Sequence, residues 1–324
     1  MIRRNLLGPV LFKELATLLR GSRAALMITV YVGMVLISAR LFYGVTASQL
    51  DFGQPLLSAQ IGQVIFIGVS LVIQTMTLFL APATTLSAVS HEYERGTFEL
   101  IQATPLSASQ LIIDKLIAAM AFLLLLLIAA MPAFTLVLLF GGLMISDLVP
   151  VVIVILMTAV VGCAFGLFCS AVTRQTFNAT LLCYAVLISL VGGTLFAASI
   201  WSLINGLSAA PPSLVVANPL SAIATVLAPI RPPDDSFTGG FRPLVLLSLL
   251  SRGVIDNRGV IAPTYHATAV IYGALTISLI WGTLVAVRPR LRLTREDGVM
   301  LAALLVYGLL AYMLRGWWVP GIFP

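Results

Sequence analysis

Between two long apolar runs the chain places HEYERGTFELIQATPLSASQLIIDK, residues 91–115, where Glu92, Glu94, Arg95, Glu99, Asp114 and Lys115 crowd together. Residues 52–90 before it and 116–146 after it contain no Asp, Glu, Lys or Arg. Carboxylates and cations this close can pair with one another, dock a charged partner or carry protons. No pair of cysteines has metal-ligand spacing beside a histidine. The two histidines, His91 and His266, fall near opposite membrane faces and cannot share a site. Phosphate chemistry by the usual loop needs G-x-x-x-x-G-K-[ST]. No such run exists, and neither Lys13 nor Lys115 follows a glycine, so the chain cannot hydrolyse ATP by that route. The charges read as a recognition element.

Written on a helix, residues 90–103 separate into two faces. Val89, Tyr93, Thr97, Leu100 and Ile101 recur at three- and four-residue spacing on one side, and Glu92, Arg95, Glu99 and Gln102 lie on the other. The pairs Glu92–Arg95 and Arg95–Glu99 add about 0.2–0.5 kcal/mol each, too little to account for the charges. Ala103-Thr104-Pro105 ends the helix, and Ser107-x-x-Gln110 is a capping-box pattern that starts the next segment. A short helix with one apolar and one charged face suits docking.

The elements that position this island are membrane spans. A mean hydropathy of +1.08, with 60% hydrophobic and 9% charged residues, lies far from a soluble domain, which is about a quarter charged. A spanning helix needs roughly 20 apolar residues. The fold class is therefore an all-α polytopic membrane protein with six or seven transmembrane helices. Spans are expected at about 24–43, 61–86, 111–140, 148–171, 179–200 and 267–287. Residues 299–314 are expected to form a seventh, with Trp317 and Trp318 as an aromatic anchor. Residues 8–22 read as an amphipathic helix lying on the membrane: Val10, Leu11, Leu15, Leu18 and Leu19 share a face, and Lys13, Glu14 and Arg20 do not. The same charges argue against a cleavable signal peptide. Residues 213–230 are apolar, but Asn218-Pro219 breaks them, so they read as a re-entrant or interfacial helix on the outer face.

The net charge of +6 does not point to nucleic acid, because the basic residues sit between apolar segments. With the N-terminus inside, 12 basic residues fall on the cytoplasmic side and 6 outside, which puts the island in the cytoplasm. Cys163, Cys169 and Cys183 lie within spans and read as packing residues. Gly162-x-x-x-Gly166 permits close helix packing. Gln63, Ser70, Gln74 and Thr77 share one face of the second span. Two readings stand for that stripe: interhelical hydrogen bonding, or part of a translocation route together with Thr180, Tyr184 and Thr194 of the fifth span. No acidic or basic residue sits near the centre of a span, which favours an amphiphilic or hydrophobic substrate over an ion or a strongly charged solute.

Residues 91–115 resemble the first intracellular segment of the type-2 ATP-binding-cassette (ABC) exporter permeases. The matching positions are Glu92, Glu94, Arg95, Gly96, Thr97, Glu99, Leu100, Thr104, Pro105, Leu106, Ser107 and Lys115. GPVLFKELATLLRGSRAAL is similar to the elbow helix that precedes the first span in that family. The likeness covers about residues 8–290, an exporter-type transmembrane domain spanning 1–290. A basic linker and apolar segment, 291–324, departs from the six-span plan.

The resemblance implies that the island is a coupling helix received by a cytoplasmic ATPase subunit. Glu92, Arg95 and Glu99 would make the polar contacts, Tyr93, Leu100 and Ile101 would pack, and Glu94, Gly96 and Thr97 complete the segment. It further implies two ATPase copies holding ATP and Mg, with no cofactor or metal on this chain. It also implies a second permease copy, as homodimer or related heterodimer, in the plasma membrane. A permease-like scaffold or sensor and an ion-coupled secondary transporter are the alternatives. The absence of intramembrane carboxylates and of an internal repeat weighs against the second.

Overall fold

Apolar runs this long leave the backbone no choice but to satisfy itself within helices. The computed structural model describes residues 22–47, 57–96, 108–205, 211–230, 264–288 and 295–321. In chain order the helices are α1 (Ser22–Ala47), α2 (Leu57–Thr85), α3 (Ser90–Glu94), α4 (Ala108–Leu139), α5 (Ile145–Thr173), α6 (Thr176–Asn205), α7 (Pro219–Leu227), α8 (Thr264–Val287) and α9 (Arg295–Met313). Seven of them, all but α3 and α7, are long and apolar enough to cross a bilayer. Consecutive spanning helices run in opposite directions, so the bundle has an end that carries the island and an opposite end. The expected surface helix over 8–22, apart from Ser22, which opens α1, and Thr97, Glu99, Leu100 and Ile101 lie outside the described residues.

At the middle stands α5, packed on α2, α8, α6, α4 and α7. Its closest seam is with α2, and two glycines make it. A Cβ on Gly162 would lie 2.8 Å from Ala81 Cβ, and one on Gly166 would lie 2.7 Å from the Pro82 carbonyl oxygen. The expected close packing at Gly162-x-x-x-Gly166 is thus against α2. Pro82 removes one backbone donor from α2. Beside it the Thr85 hydroxyl donates to Pro82 O (3.1 Å) and, across the seam, to Cys163 O (2.9 Å).

Residues 213–230 do not span. The break at Asn218-Pro219 opens a nine-residue helix, α7, that is almost wholly buried. Asn218 Oδ1 caps it by accepting from Leu220 N at 2.9 Å. Asn218 Nδ2 reaches α6 at Val191 O (3.1 Å) and Thr194 Oγ1 (2.8 Å). Thr268 and Tyr272 of α8 donate to Val216 O and Ala217 O at 2.7 and 3.0 Å. Gln74 Nε2, half-way along α2, donates to Pro219 O at 3.2 Å. The turn therefore reaches mid-depth with its carbonyls satisfied by side chains, as a re-entrant segment requires.

α9, with 19 residues, extends about 28 Å, close to the thickness of bilayer hydrocarbon. It lies antiparallel on α8. Tyr307 donates to Val270 O at 2.8 Å over the bare Cα of Gly273. Trp317, expected as an interfacial anchor, stacks on His266 with ring centres 4.0 Å apart.

The α2–α5 seam yields a direct test. Gly166→Ala forces backbone apart and should cost about 1–3 kcal/mol, read as a lower Tm in detergent. Gly192→Ala, where an added Cβ meets nothing within 4 Å, should leave Tm unchanged or raise it.

Candidate functional site

A five-residue helix, α3, cannot hold itself together in water, since isolated helices below about 12–15 residues are marginal. Its shape is imposed by three spanning helices. Ser170, fully buried in the last turn of α5, accepts from both Val89 N (3.1 Å) and Ser90 N (2.9 Å) at the start of α3. Two orphan donors of the helix N-terminus are thereby satisfied from another element. Ser90 Oγ lies 2.9 Å from Thr176 Oγ1 at the start of α6.

The carboxylates of α3 complete the attachment. Glu92 Oε1 accepts from Lys115 Nζ, on α4, at 2.9 Å; the lysine side chain is 4% exposed and the glutamate 18%. Glu94 takes the first N–H of α6, from Thr176, at 2.7 Å, and the Thr176 hydroxyl at 3.1 Å. The Thr176 N–H, followed by its hydroxyl and the nearby His91, holds the Glu94 carboxyl below the ordinary carboxylate range. A carboxylate at a helix N-terminus is favoured by the helix dipole as well. Arg174 ends α5 in the left-handed region at φ 55°. Its guanidinium stands 5.1 Å from the centre of the Tyr93 ring, a cation–π contact. Val89, Ile112, Leu167, Ala171, Leu284 and Val287 form the apolar floor beneath.

Two expectations are corrected here. The helix expected over 90–103 stops at Glu94, because Gly96 turns to φ 65° and Gly96 N bonds to Tyr93 O, which closes the last turn. Glu92, expected on the outward charged face, points inward onto Lys115, since an ammonium buried among apolar groups needs a counter-charge. Arg95, His91 and Glu94 are the exposed side chains, with His91 Nδ1 3.8 Å from Glu94 Oε2.

Three residues that hold α3 were given no part at the island from the sequence: Ser170, Arg174 and Thr176. The only available signal was the brief Thr173-Arg174-Gln175 connection, which obliges the ends of α5 and α6 to meet at one place.

The polar stripe of α2 divides by depth. Gln63 donates to Gly142 O at 3.2 Å near the opposite end. Ser70 and Gln74 are fully buried, and Gln74 Nε2 also donates to Thr158 Oγ1 of α5 at 2.8 Å. Thr77 lines a small apolar cavity with Tyr31, Leu123 and Ile155. In α6, Thr180 bonds within its own helix to Thr176 O, and Tyr184 donates to Phe79 O of α2 at 3.0 Å. Thr194 receives Asn218. The structure thus brings Gln74 and Thr194 together at the re-entrant turn and leaves Gln63, Thr180 and Tyr184 elsewhere. Among the described residues no group of three His, Cys, Asp or Glu could hold a metal ion.

A family model described as ABC-2 family transporter protein matches residues 72–298, well over half of the chain. No curated protein matches it.

The Glu92–Lys115 pair predicts that a second substitution rescues the first. Lys115→Met alone removes the ammonium from a largely buried carboxylate and should cost about 3–5 kcal/mol. Adding Glu92→Gln should recover most of that loss in a thermal melt; a double variant as unstable as the single one refutes the pairing.

Proposed function

The chain belongs to the ABC-2 transporter family as a multi-pass membrane permease subunit, and on that premise we propose that α3 and the segment following it couple the spans to a separate ATPase. The observation that carries this is the attachment of one five-residue helix to three spanning helices at once: Ser170 of α5, Lys115 of α4 and Thr176 of α6. A surface loop without a task has no use for three such tethers. A displacement applied to α3 from outside reaches all three helices together. Arg95 and His91, exposed on its outer side, are the first contacts for the partner. Tyr93 packs inward, and Glu92 and Glu94 act as tethers rather than contacts. Thr97, Glu99, Leu100 and Ile101 follow Gly96 in sequence and complete the proposed coupling segment.

The partner is a cytoplasmic subunit that binds ATP and Mg, in two copies, with a second permease copy completing the pump. This places the N-terminus in the cytoplasm and the chain in the plasma membrane, in line with the excess of basic residues at the island end. The direction of transport is export, and the substrate is amphiphilic or hydrophobic. Gln63, Thr180 and Tyr184, half-buried on α2 and α6, are the candidate lining of its route. Gln74 and Thr194 serve it indirectly by holding the re-entrant turn, and Ser70 and Thr77 face the protomer interior.

The test is affinity capture of the tagged chain from detergent, with and without Arg95→Glu. An ATP-binding subunit should accompany the unaltered chain, and the charge reversal should reduce it roughly tenfold or more while the melt is unchanged. A folded chain that captures no ATPase removes this reading and leaves the scaffold alternative.

A further inference from the structure

The seventh spanning helix, α9, does more than lengthen the bundle. Two carboxylates open α9, Glu296 and Asp297, and they make different attachments. Asp297 is buried, with Oδ1 accepting from Trp281 Nε1 at 2.9 Å and Oδ2 from Arg288 Nη1 at 2.5 Å; both partners are on or just past α8. Those contacts, with Tyr307 on Val270 O and His266 on Trp317 at the far end, already fasten α9 to α8 along its whole length. Glu296 is additional. Its Oε2 accepts from Arg288 Nη2 at 3.0 Å, and its Oε1 accepts from Ser109 Oγ, in the first turn of α4, at 3.0 Å. That carboxylate leaves the α8–α9 pair and reaches the helix whose Lys115, six residues on, receives Glu92. Met300, one turn along α9, packs on the apolar floor that contains Val89 and Ile112.

We infer that α9 is a clasp on the coupling end, and that Glu296 and Ser109 are positioning residues that set where the first turns of α4 stand relative to α3. The inference rests on the coupling reading above. The first two turns of α4 are held between two carboxylates, Glu92 from α3 on one side and Glu296 from α9 on the other. Loosening Glu296 frees α4 to shift when α3 is pushed, so that motion at α3 is absorbed instead of transmitted. A purely structural staple between α8 and α9 needs none of this, because the Asp297, Tyr307 and Trp317 contacts supply it.

Two readouts on the full chain in lipid nanodiscs separate the clasp from the coupling reading. The first needs no ATPase: spin labels at His91→Cys and Gln110→Cys, both exposed positions, report the α3–α4 distance. The three native cysteines are buried. Ser109→Ala and Glu296→Gln should broaden that distance distribution, whereas Tyr307→Phe, which removes only an α8–α9 contact, should not. The second is substrate moved per ATP hydrolysed by the reconstituted pump. It should fall about threefold or more in Ser109→Ala, with hydrolysis retained, and stay at the unaltered value in Tyr307→Phe. A distance distribution unmoved by Ser109→Ala, or moved equally by Tyr307→Phe, overturns the clasp. A broadened distribution with an unchanged transport ratio keeps the clasp as geometry but overturns its part in coupling. Absence of any ATPase partner overturns the coupling reading and leaves the distance result to judge the clasp.

Discussion

Everything at the island end depends on where Lys115 is allowed to be. An ammonium on the second turn of an apolar helix carries a desolvation cost of several kcal/mol unless a counter-ion comes to it. Glu92 is that counter-ion, and it arrives on a helix too short to exist alone. Replacing such a buried pair with apolar residues of similar volume is often neutral or stabilising, so stability is a poor reason to have one. Geometry is a better reason: the pair fixes the separation and angle between α3 and α4 in a way that apolar contact, which tolerates sliding, does not.

The other two attachments follow the same logic with different chemistry. Ser170 meets the backbone of α3 and Glu94 meets the backbone of α6. Both join a helix terminus to a side chain from another element, so neither helix can fray or rotate without exposing an orphan N–H. α5 sits between them, pressed against Ala81, Pro82 and Thr85 of α2 through Gly162 and Gly166. Close-packed interiors transmit displacement rather than absorb it. At mid-depth the same bundle holds the re-entrant turn by Gln74, Asn218 and Tyr272. The α2 and α5 helices that frame the island thus also frame that turn.

The spans were legible because apolar length is a one-dimensional signal, and all seven stand where the runs are. Asn218-Pro219 was legible as a break for the same local reason. The partners of Asn218 were not, because Val191 and Thr194 are distant in sequence and polar residues in a span look alike whether they bond to a neighbour or line a route. At the island, amphipathic periodicity ran past Gly96 and hid the end of α3; the positive φ there is a tertiary choice that periodicity does not encode. The inward turn of Glu92 could have been anticipated from Lys115. A lysine inside the third apolar run needs a carboxylate, and Glu92 is two residues nearer to the end of α2 than Glu94.

The helix that follows α8 has a physical rationale of its own. Arg288 ends α8 among apolar groups, with only 11% of its side chain exposed, and a guanidinium so placed requires acceptors. Five donors in a planar fork are satisfied best by two carboxylates. Glu296 and Asp297 supply them from the first turn of α9, where the helix dipole also favours negative charge. A single acid would neutralise the arginine. A second, with an oxygen to spare, can reach Ser109 and bring α4 into the same cluster. The pair of acids therefore does what one acid cannot: it joins three helices through one cation.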